Sequence, residues 1–444
     1  MPGSKAKLSR FLSNYGMLAV LLLLCLYYSF ATVDQQHPAG RAAAEVLAKQ
    51  VAASFGESAK FVIVSKDTEE GAAFAARLEQ LLGDGGLEVA AVVKGSPVLI
   101  RGEFEELALR GARIDAVATT RDCANAVTGI KARLPALAGA AVAVPRSHRW
   151  PTFLLKANLM NVSNQITVIA IAAAGMTAVI ITGGIDLSVG SLIAFSAVVF
   201  AWLTRQAGGI HASGPAMALC CLGAMAVCGA FGVFSGLIIT NFKIQPFIVT
   251  LGVMQIARGL AYEISRGQPI RDIPASFVWL GRGAEPLLSV PYGVILMVVI
   301  YVAAYVIMTR TTFGRYVYAV GGNREAARLS GVNVKGILVS VYAIVAVLAG
   351  LGGVVMASQL KSGSPTFAPM YELYVIAAVV VGGTSLAGGE GKIPGTLVGA
   401  FIIAVINNGM NLTNVEPYTQ MVVLGAVILG SVLLDRLKTR IQVN

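Results

Sequence analysis

Between two apolar runs, each long enough to cross a bilayer, lies ITGGIDLSVGSLIAF, residues 181–195, which places glycines and one acid where lipid ordinarily admits neither. A carboxylate at the centre of a spanning helix costs about 2.5–3.5 kcal/mol even on lenient insertion scales, so Asp186 has to face protein, water or the membrane edge. Gly183 and Gly184 free backbone groups that hydrocarbon cannot satisfy. Two readings are open. In one, the glycines end a span and Asp186 caps the next helix through the amides of Ser188 or Val189. In the other, the broken segment, with Gly183, Gly184, Asp186, Ser188 and Gly190, lines a passage through the membrane.

The remainder of the chain agrees with a membrane protein. Of 444 residues 56% are hydrophobic and 13% are charged, where a soluble domain carries about 25% charged residues. The net charge of +11 does not signal nucleic acid, because residues 31–150 are balanced and the whole excess lies outside them. It gathers in short segments: Lys5, Lys7 and Arg10; Arg310, Arg315, Arg324, Arg328 and Lys335; Arg436, Lys438 and Arg440. That is the pattern of loops and tails held on the cytoplasmic side. Three scattered histidines and five cysteines, four of them in apolar runs, offer no metal-ligand spacing.

Residues 15–33 form the first predicted span, behind a basic head. A removable signal peptide is the rival reading, but the apolar stretch is longer than a signal core of about 7–15 residues. Residues 39–144 then alternate helical and strand patterns, among them the strand AKFVIVSK and a helix opened by Asp67 as N-cap. This alternation predicts a small parallel sheet covered by helices on both faces. Nine further spans are expected near 164–182, 187–204, 216–240, 246–262, 290–309, 336–357, 371–383, 395–412 and 419–434. With the amino terminus inside, ten spans put the α/β domain outside, and the loop 310–335 and the carboxyl-terminal tail inside with their positive charge. The predicted fold class is therefore a polytopic α-helical membrane protein of about ten spans with an inserted extracytoplasmic α/β domain. Its divisions are 1–35, 36–150 and 151–444.

Residues 382–401, GGTSLAGGEGKIPGTLVGAF, echo 183–195 and bring Gly382 and Gly383 into the same candidate set. A phosphate-binding loop needs GxxxxGK followed by Ser or Thr. Gly391-Lys392 fails that test, with Leu386 and Ile393 in the required positions. An ATPase of the chain's own is not expected, and neither is a resident cofactor or a metal. The inner loop carries a short helix capped by Asn323, from which Arg324, Glu325 and Arg328 would project, suited to a soluble partner or else simply solvated. Glu372 opens an apolar run beside the outer mouth, either as a polar contact in the passage or as an acid at a helix start.

The blocks GMTAVIITGGIDLSVGS, PFIVTLGVMQIARGLAY, TTFGRYVYAVGGNREAARLSGVNVKG, YELYVIAAVVVGGTSLAGGEGKIPGTLVGA and INNGMNL resemble the permease subunits of bacterial ABC sugar importers of the ribose/xylose/arabinose class. The resemblance, over residues 152–437, implies an inner-membrane subunit with both termini in the cytoplasm. It also implies pairing with a second permease, a cytoplasmic ATPase that binds the ATP, and a periplasmic sugar-binding protein. On the same basis Arg324, Glu325, Ala326, Ala327, Arg328 and Gly331 are expected at the ATPase contact. Two departures stand out. Tyr374 follows YEL where an acid is common in the family, and residues 36–150 fill a loop that is normally short. That insert resembles one lobe of a periplasmic sugar-binding protein, suited to docking or sensing. An ion-gradient transporter using Asp186 and a membrane-anchored sensor are the competing functions.

Overall fold

In the computed structural model, which describes residues 4–56 and 59–443, the chain opens with helix α1 (Ser4–Ala31). The side chains of residues 4–15, 136 and 434–443 lie outside the described residues, and with them both terminal basic clusters. The chain divides into two compact units, Val33–Thr152 and a larger one made of Met1–Thr32 with Phe153–Asn444.

The inserted unit runs β1 (Val33–Gln36), α2 (Gly40–Ser54), β2 (Lys60–Ser65), α3 (Glu69–Asp84), β3 (Glu88–Lys94), α4 (Pro97–Leu109), β4 (Ala116–Thr119), α5 (Arg121–Lys131), β5 (Ala141–Ala143) and β6 (His148–Pro151). Four strands pair in parallel in the order β3-β2-β4-β5. The central strands β2 and β4, KFVIVS and AVAT, are nearly all buried, as parallel strands covered on both faces must be. Ile63 and Phe61 face a core with Phe74 and Leu78 of α3. Val62, Val64 and Val117 face a second core with Ile100 and Phe104 of α4. Two details differ from expectation. The N-cap of α3 is Thr68, not Asp67: its hydroxyl accepts from the Gly71 amide at 3.1 Å. In addition, β1 and β6 join the two ends of the unit as an antiparallel ribbon that no alternating pattern announced.

The larger unit continues with α6 (Lys156–Ile181), α7 (Val189–Gln206), α8 (Gly214–Phe242), α9 (Pro246–Ser265), α10 (Trp279–Arg282), α11 (Tyr292–Arg310), α12 (Thr312–Gly322), α13 (Arg324–Leu329), α14 (Val334–Leu360), α15 (Tyr371–Val381), α16 (Ile393–Leu412) and α17 (Pro417–Val443). Among the described residues seven helices, α6, α7, α8, α9, α11, α14 and α16, are long and apolar enough to cross a membrane. Three shorter apolar helices, Gly16–Ala31, Tyr371–Val381 and Pro417–Leu433, fall where the other predicted spans lie.

Helices α6, α7 and α14 form the centre, and glycine lets them and their neighbours close up. Gly232 of α8 lies so near α14 that a Cβ there would run into the Tyr342 carbonyl, and Gly236 is pressed against Val339. Without a hydrophobic drive between helices in lipid, such close backbone approach is a main source of association.

Candidate coupling junction and passage

The break after α6 is built by helix-ending chemistry. Gly183 takes the left-handed conformation at φ +74°, and the amides of Gly183 and Gly184 donate back to the Ile180 and Val179 carbonyls at 2.9 and 3.0 Å. This is the glycine-terminated end that satisfies orphan carbonyls within the helix. The break after α15 repeats it: Gly383 has φ +90°, and the amides of Gly383 and Thr384 donate to Val380 and Val379 at 2.9 and 3.2 Å. The two echoed sequences thus share a backbone geometry. Gly382, one residue earlier, lies against the Gly395 carbonyl and holds α15 close to α16.

Asp186 is 1% exposed and accepts from the Ser188 amide at 2.8 Å and the Ser188 hydroxyl at 2.6 Å. Both bonds go to one oxygen, Oδ1, and shape the turn that starts α7. Thr250 of α9 secures the same turn, accepting from the Leu187 amide at 3.1 Å. Gly184 admits the Tyr342 hydroxyl, which is buried with no hydrogen-bond partner among the described residues.

Where the sequence suggested one short helix in an inner loop, the structure has two, α12 and α13. Asn323 caps α13, accepting from the Ala326 amide at 3.0 Å. Gly331, at φ +85°, ends it. Ala327 is buried, whereas Glu325 and Arg328 pair on the exposed face at 3.0 Å. Arg324 turns the other way and donates to the Thr182 carbonyl, in the first glycine break, at 2.9 Å. From α12, the Tyr318 hydroxyl donates to the Gly391 carbonyl, in the second break, at 2.8 Å. The two breaks also touch directly, the Gly389 amide donating to the Ile181 carbonyl at 2.8 Å. Gly321 lies where a Cβ would strike both of those groups. Both breaks and the α12–α13 pair therefore meet in one backbone junction.

Residues 361–370 run without helix alongside α7, with Gly363 against Ala197 and Ala201 and the Ala368 carbonyl beside Gly190. They deliver Glu372 to the start of α7, its carboxylate over Gly190. Non-helical backbone packed among spanning helices needs protein or water to satisfy it. Arg258 of α9 does part of this, its Nη1 donating to the Pro365 and Phe367 carbonyls at 2.6 and 2.8 Å. Arg258 was not singled out from the sequence, although the rule that flagged Asp186, a charge in an apolar run, applies to it equally. Tyr318 and Tyr342 carried no such signal, since a tyrosine in a helix is ordinary.

At the other end of α9 a cavity of about 560 Å³ is lined by Trp202, Arg205, Gln206, Ser265 and Arg266 among others. Among the described residues no group of three or more His, Cys, Asp or Glu could hold a metal ion.

A bundle of spans broken twice by glycine loops, both loops held by one pair of short helices, is the architecture of a multi-pass membrane protein. The chain belongs to the family described as branched-chain amino acid transport system / permease component, which matches residues 158–432. It is 43% identical over 292 residues to the ribose import permease of Escherichia coli (strain K12), covering 65% of this chain and 88% of that protein. It is 42% identical over 289 residues to the ribose import permease of Bacillus subtilis (strain 168), with the same coverage. The galactose/methyl galactoside import permease of Escherichia coli (strain K12) is 38% identical over 298 residues, 65% of this chain and 89% of that protein. No solved structure matches the chain.

Proposed function

We propose that this chain is the membrane subunit of an ATP-driven importer of a neutral monosaccharide, a pentose such as ribose or xylose or a related sugar. In this reading two permease copies, a cytoplasmic ATPase and a periplasmic sugar-binding protein work together in a bacterial inner membrane. Both termini and α12–α13 face the cytoplasm, and the inserted unit lies outside as a docking or sensing module. The observation that carries the reading is the junction: Arg324 and Tyr318 tie the α12–α13 pair to both membrane breaks. A push on the exposed Glu325–Arg328 face by a partner that closes on ATP would reach the ends of α6 and α15 through hydrogen bonds rather than through slack loop. Alternating access then follows as a shift between outward-open and inward-open arrangements that the partner binds differently.

The family description names branched-chain amino acids, which is the second reading of the solute. The sugar is favoured because the relatives that share most of their length with this chain are sugar permeases. In addition, Asp186 is 1% exposed and holds Ser188 through Oδ1, a placement that favours a structural role over that of a counter-charge for an amino group or a driving cation. The test is reconstitution with the ATPase and candidate binding proteins in vesicles, with labelled ribose, xylose, galactose, allose and leucine. ATP-dependent accumulation of a sugar is expected. Uptake driven by an ion gradient without ATP, or ATP hydrolysis by this chain alone, would sink the reading.

A further inference from the structure

Buried polar atoms are nearly always hydrogen-bonded, and each exception asks for a reason. Among the described residues the membrane unit has three buried side-chain atoms without a partner, the hydroxyls of Thr204, Tyr342 and Thr384. Two of the three sit at the glycine breaks. Thr384 belongs to the second break, its hydroxyl packed against Gly391. Tyr342 of α14 is completely buried and sets its hydroxyl against Gly184 in the first break, where a Cβ would collide with it.

An acceptor waits at the same place. Asp186 uses Oδ1 for both of its bonds to Ser188, and its Oδ2 accepts none among the described residues. The charges of Asp186 and Arg324 both act on the Tyr342 phenol. A donor without an acceptor and a charged acceptor without a donor therefore lie beside one break, near enough to interact and yet unbonded. Leaving such groups unpaired in a buried site is unfavourable, and their meeting would remove the penalty. The means to bring them together is present. Only residues 330–333 join α13 to α14, and Asn333 caps α14 by accepting from the Gly336 amide at 3.0 Å. A push on α13 thus reaches the helix that carries Tyr342 through a short, bonded connection.

We propose that Tyr342 and Asp186 are a state-dependent pair that positions the coupling junction. Unbonded in the arrangement seen here, they join in the other arrangement of the transport cycle, the Tyr342 hydroxyl donating to Asp186 Oδ2. A bond made in one arrangement and not in the other biases the equilibrium between them. Gly184 leaves the phenol the room for this, since any side chain there would occupy its place. The proposal rests on the reading of an ATP-driven importer but not on which solute is carried.

The test compares the full chain with its Tyr342→Phe variant, each assembled with the ATPase in vesicles, without nucleotide and trapped with ATP and vanadate. The substitution keeps the ring and drops only the hydroxyl. Removing an unbonded buried hydroxyl is neutral or stabilising, whereas removing one bonded to a carboxylate destabilises. The melting temperature should therefore hold level or rise in one state and fall in the other. Loss of a hydrogen bond to a charged group shifts such a balance about tenfold, so uptake per ATP hydrolysed should fall by about that factor. On an Asp186→Asn background the same change should cost roughly threefold or less, because a neutral partner bonds about half as strongly. A fall in melting temperature in both states, as for a hydroxyl bonded throughout, or in neither, would overturn the proposal. So would unchanged uptake per ATP, or an undiminished effect on the Asp186→Asn background. If the parent complex hydrolyses ATP but moves no sugar, the sugar reading fails, while the melts in the two nucleotide states still decide whether the pair forms.

Discussion

Where the inserted unit buries Phe61, Phe74 and Phe104 completely against its sheet, the membrane unit leaves Leu222, Val299 and Val302 uncovered and brings glycine backbone together instead. The solvent explains the contrast. In water each large side chain that leaves the surface contributes about 1.5–3 kcal/mol, so the insert is assembled from side chains. Lipid does not penalise an exposed valine, and helices gain by touching closely and by satisfying polar groups inside. Thus the insert's polar residues are mostly surface pairs, such as Lys66 with Asp122. Those of the membrane unit are bonds to backbone at its breaks, such as Arg324 to Thr182.

The largest effect expected from this contrast is in the insert. Phe104→Ala removes a ring with 0% exposure and should destabilise that unit by about 3–5 kcal/mol. Limited proteolysis of the full chain would show new cleavage within residues 33–152 while the spans stay protected. Cleavage that spreads at once into the spans would mean that the two units do not stand as separate cores.

How far this was legible depended on which physical signal each feature carries. Spans, the α/β alternation and the glycine ends of α6 and α15 came through, because apolar runs, β-branched strands and left-handed glycines are local properties. The cap of α13 by Asn323 came through for the same reason. The meeting of Ile181, Gly321 and Gly389 did not, since three segments more than sixty residues apart in sequence approach only through tertiary packing. Nor did the descent of residues 361–370, whose backbone is satisfied by Arg258 from another helix. In the insert, Asp67 and Thr68 are both good caps, and only the geometry of the turn chose Thr68.

The same chemical change made in both units sharpens the contrast further. Gly321→Ala puts a methyl group into the Ile181 carbonyl and the Gly389 amide, and neither can yield without opening the bond between the two breaks. Overpacking of this kind costs about 1–3 kcal/mol. ATP-driven uptake should fall out of proportion to the loss in thermal stability. Gly129→Ala in the insert adds a methyl that meets nothing, on an exposed position of α5, and should stabilise by up to about 1 kcal/mol through helix propensity. Thermal melts and uptake assays of both variants give the comparison. Equal and small effects would show that the junction is slack and that glycine there is incidental.

The smallest effect concerns acid. Asp115 in the insert accepts from the Lys60 amide at 3.0 Å and from Arg113 Nε at 3.0 Å. The Lys60 amide chiefly, with the Arg113 hydrogen bond and charge added, holds its carboxyl below the ordinary aspartate value. A lowered folded-state value means that the contribution is complete above the unfolded value, near 3.9 on the usual scale (about pH 4), and is lost as pH falls through the folded one. Glu285, in a loop of the membrane unit outside the spans, is held low in the same way by the amides of Leu288 and Leu287. The consequences should differ. Asp115 anchors the start of β2, a central strand, so protonation loosens a core, whereas Glu285 only closes a turn. Acid titration below about pH 4, followed by proteolysis, should therefore open the insert before the membrane unit. Asp115→Asn should remove the pH dependence, by leaving the insert equally weakened at neutral pH, and Glu285→Gln should leave the spans' protection unchanged at every pH.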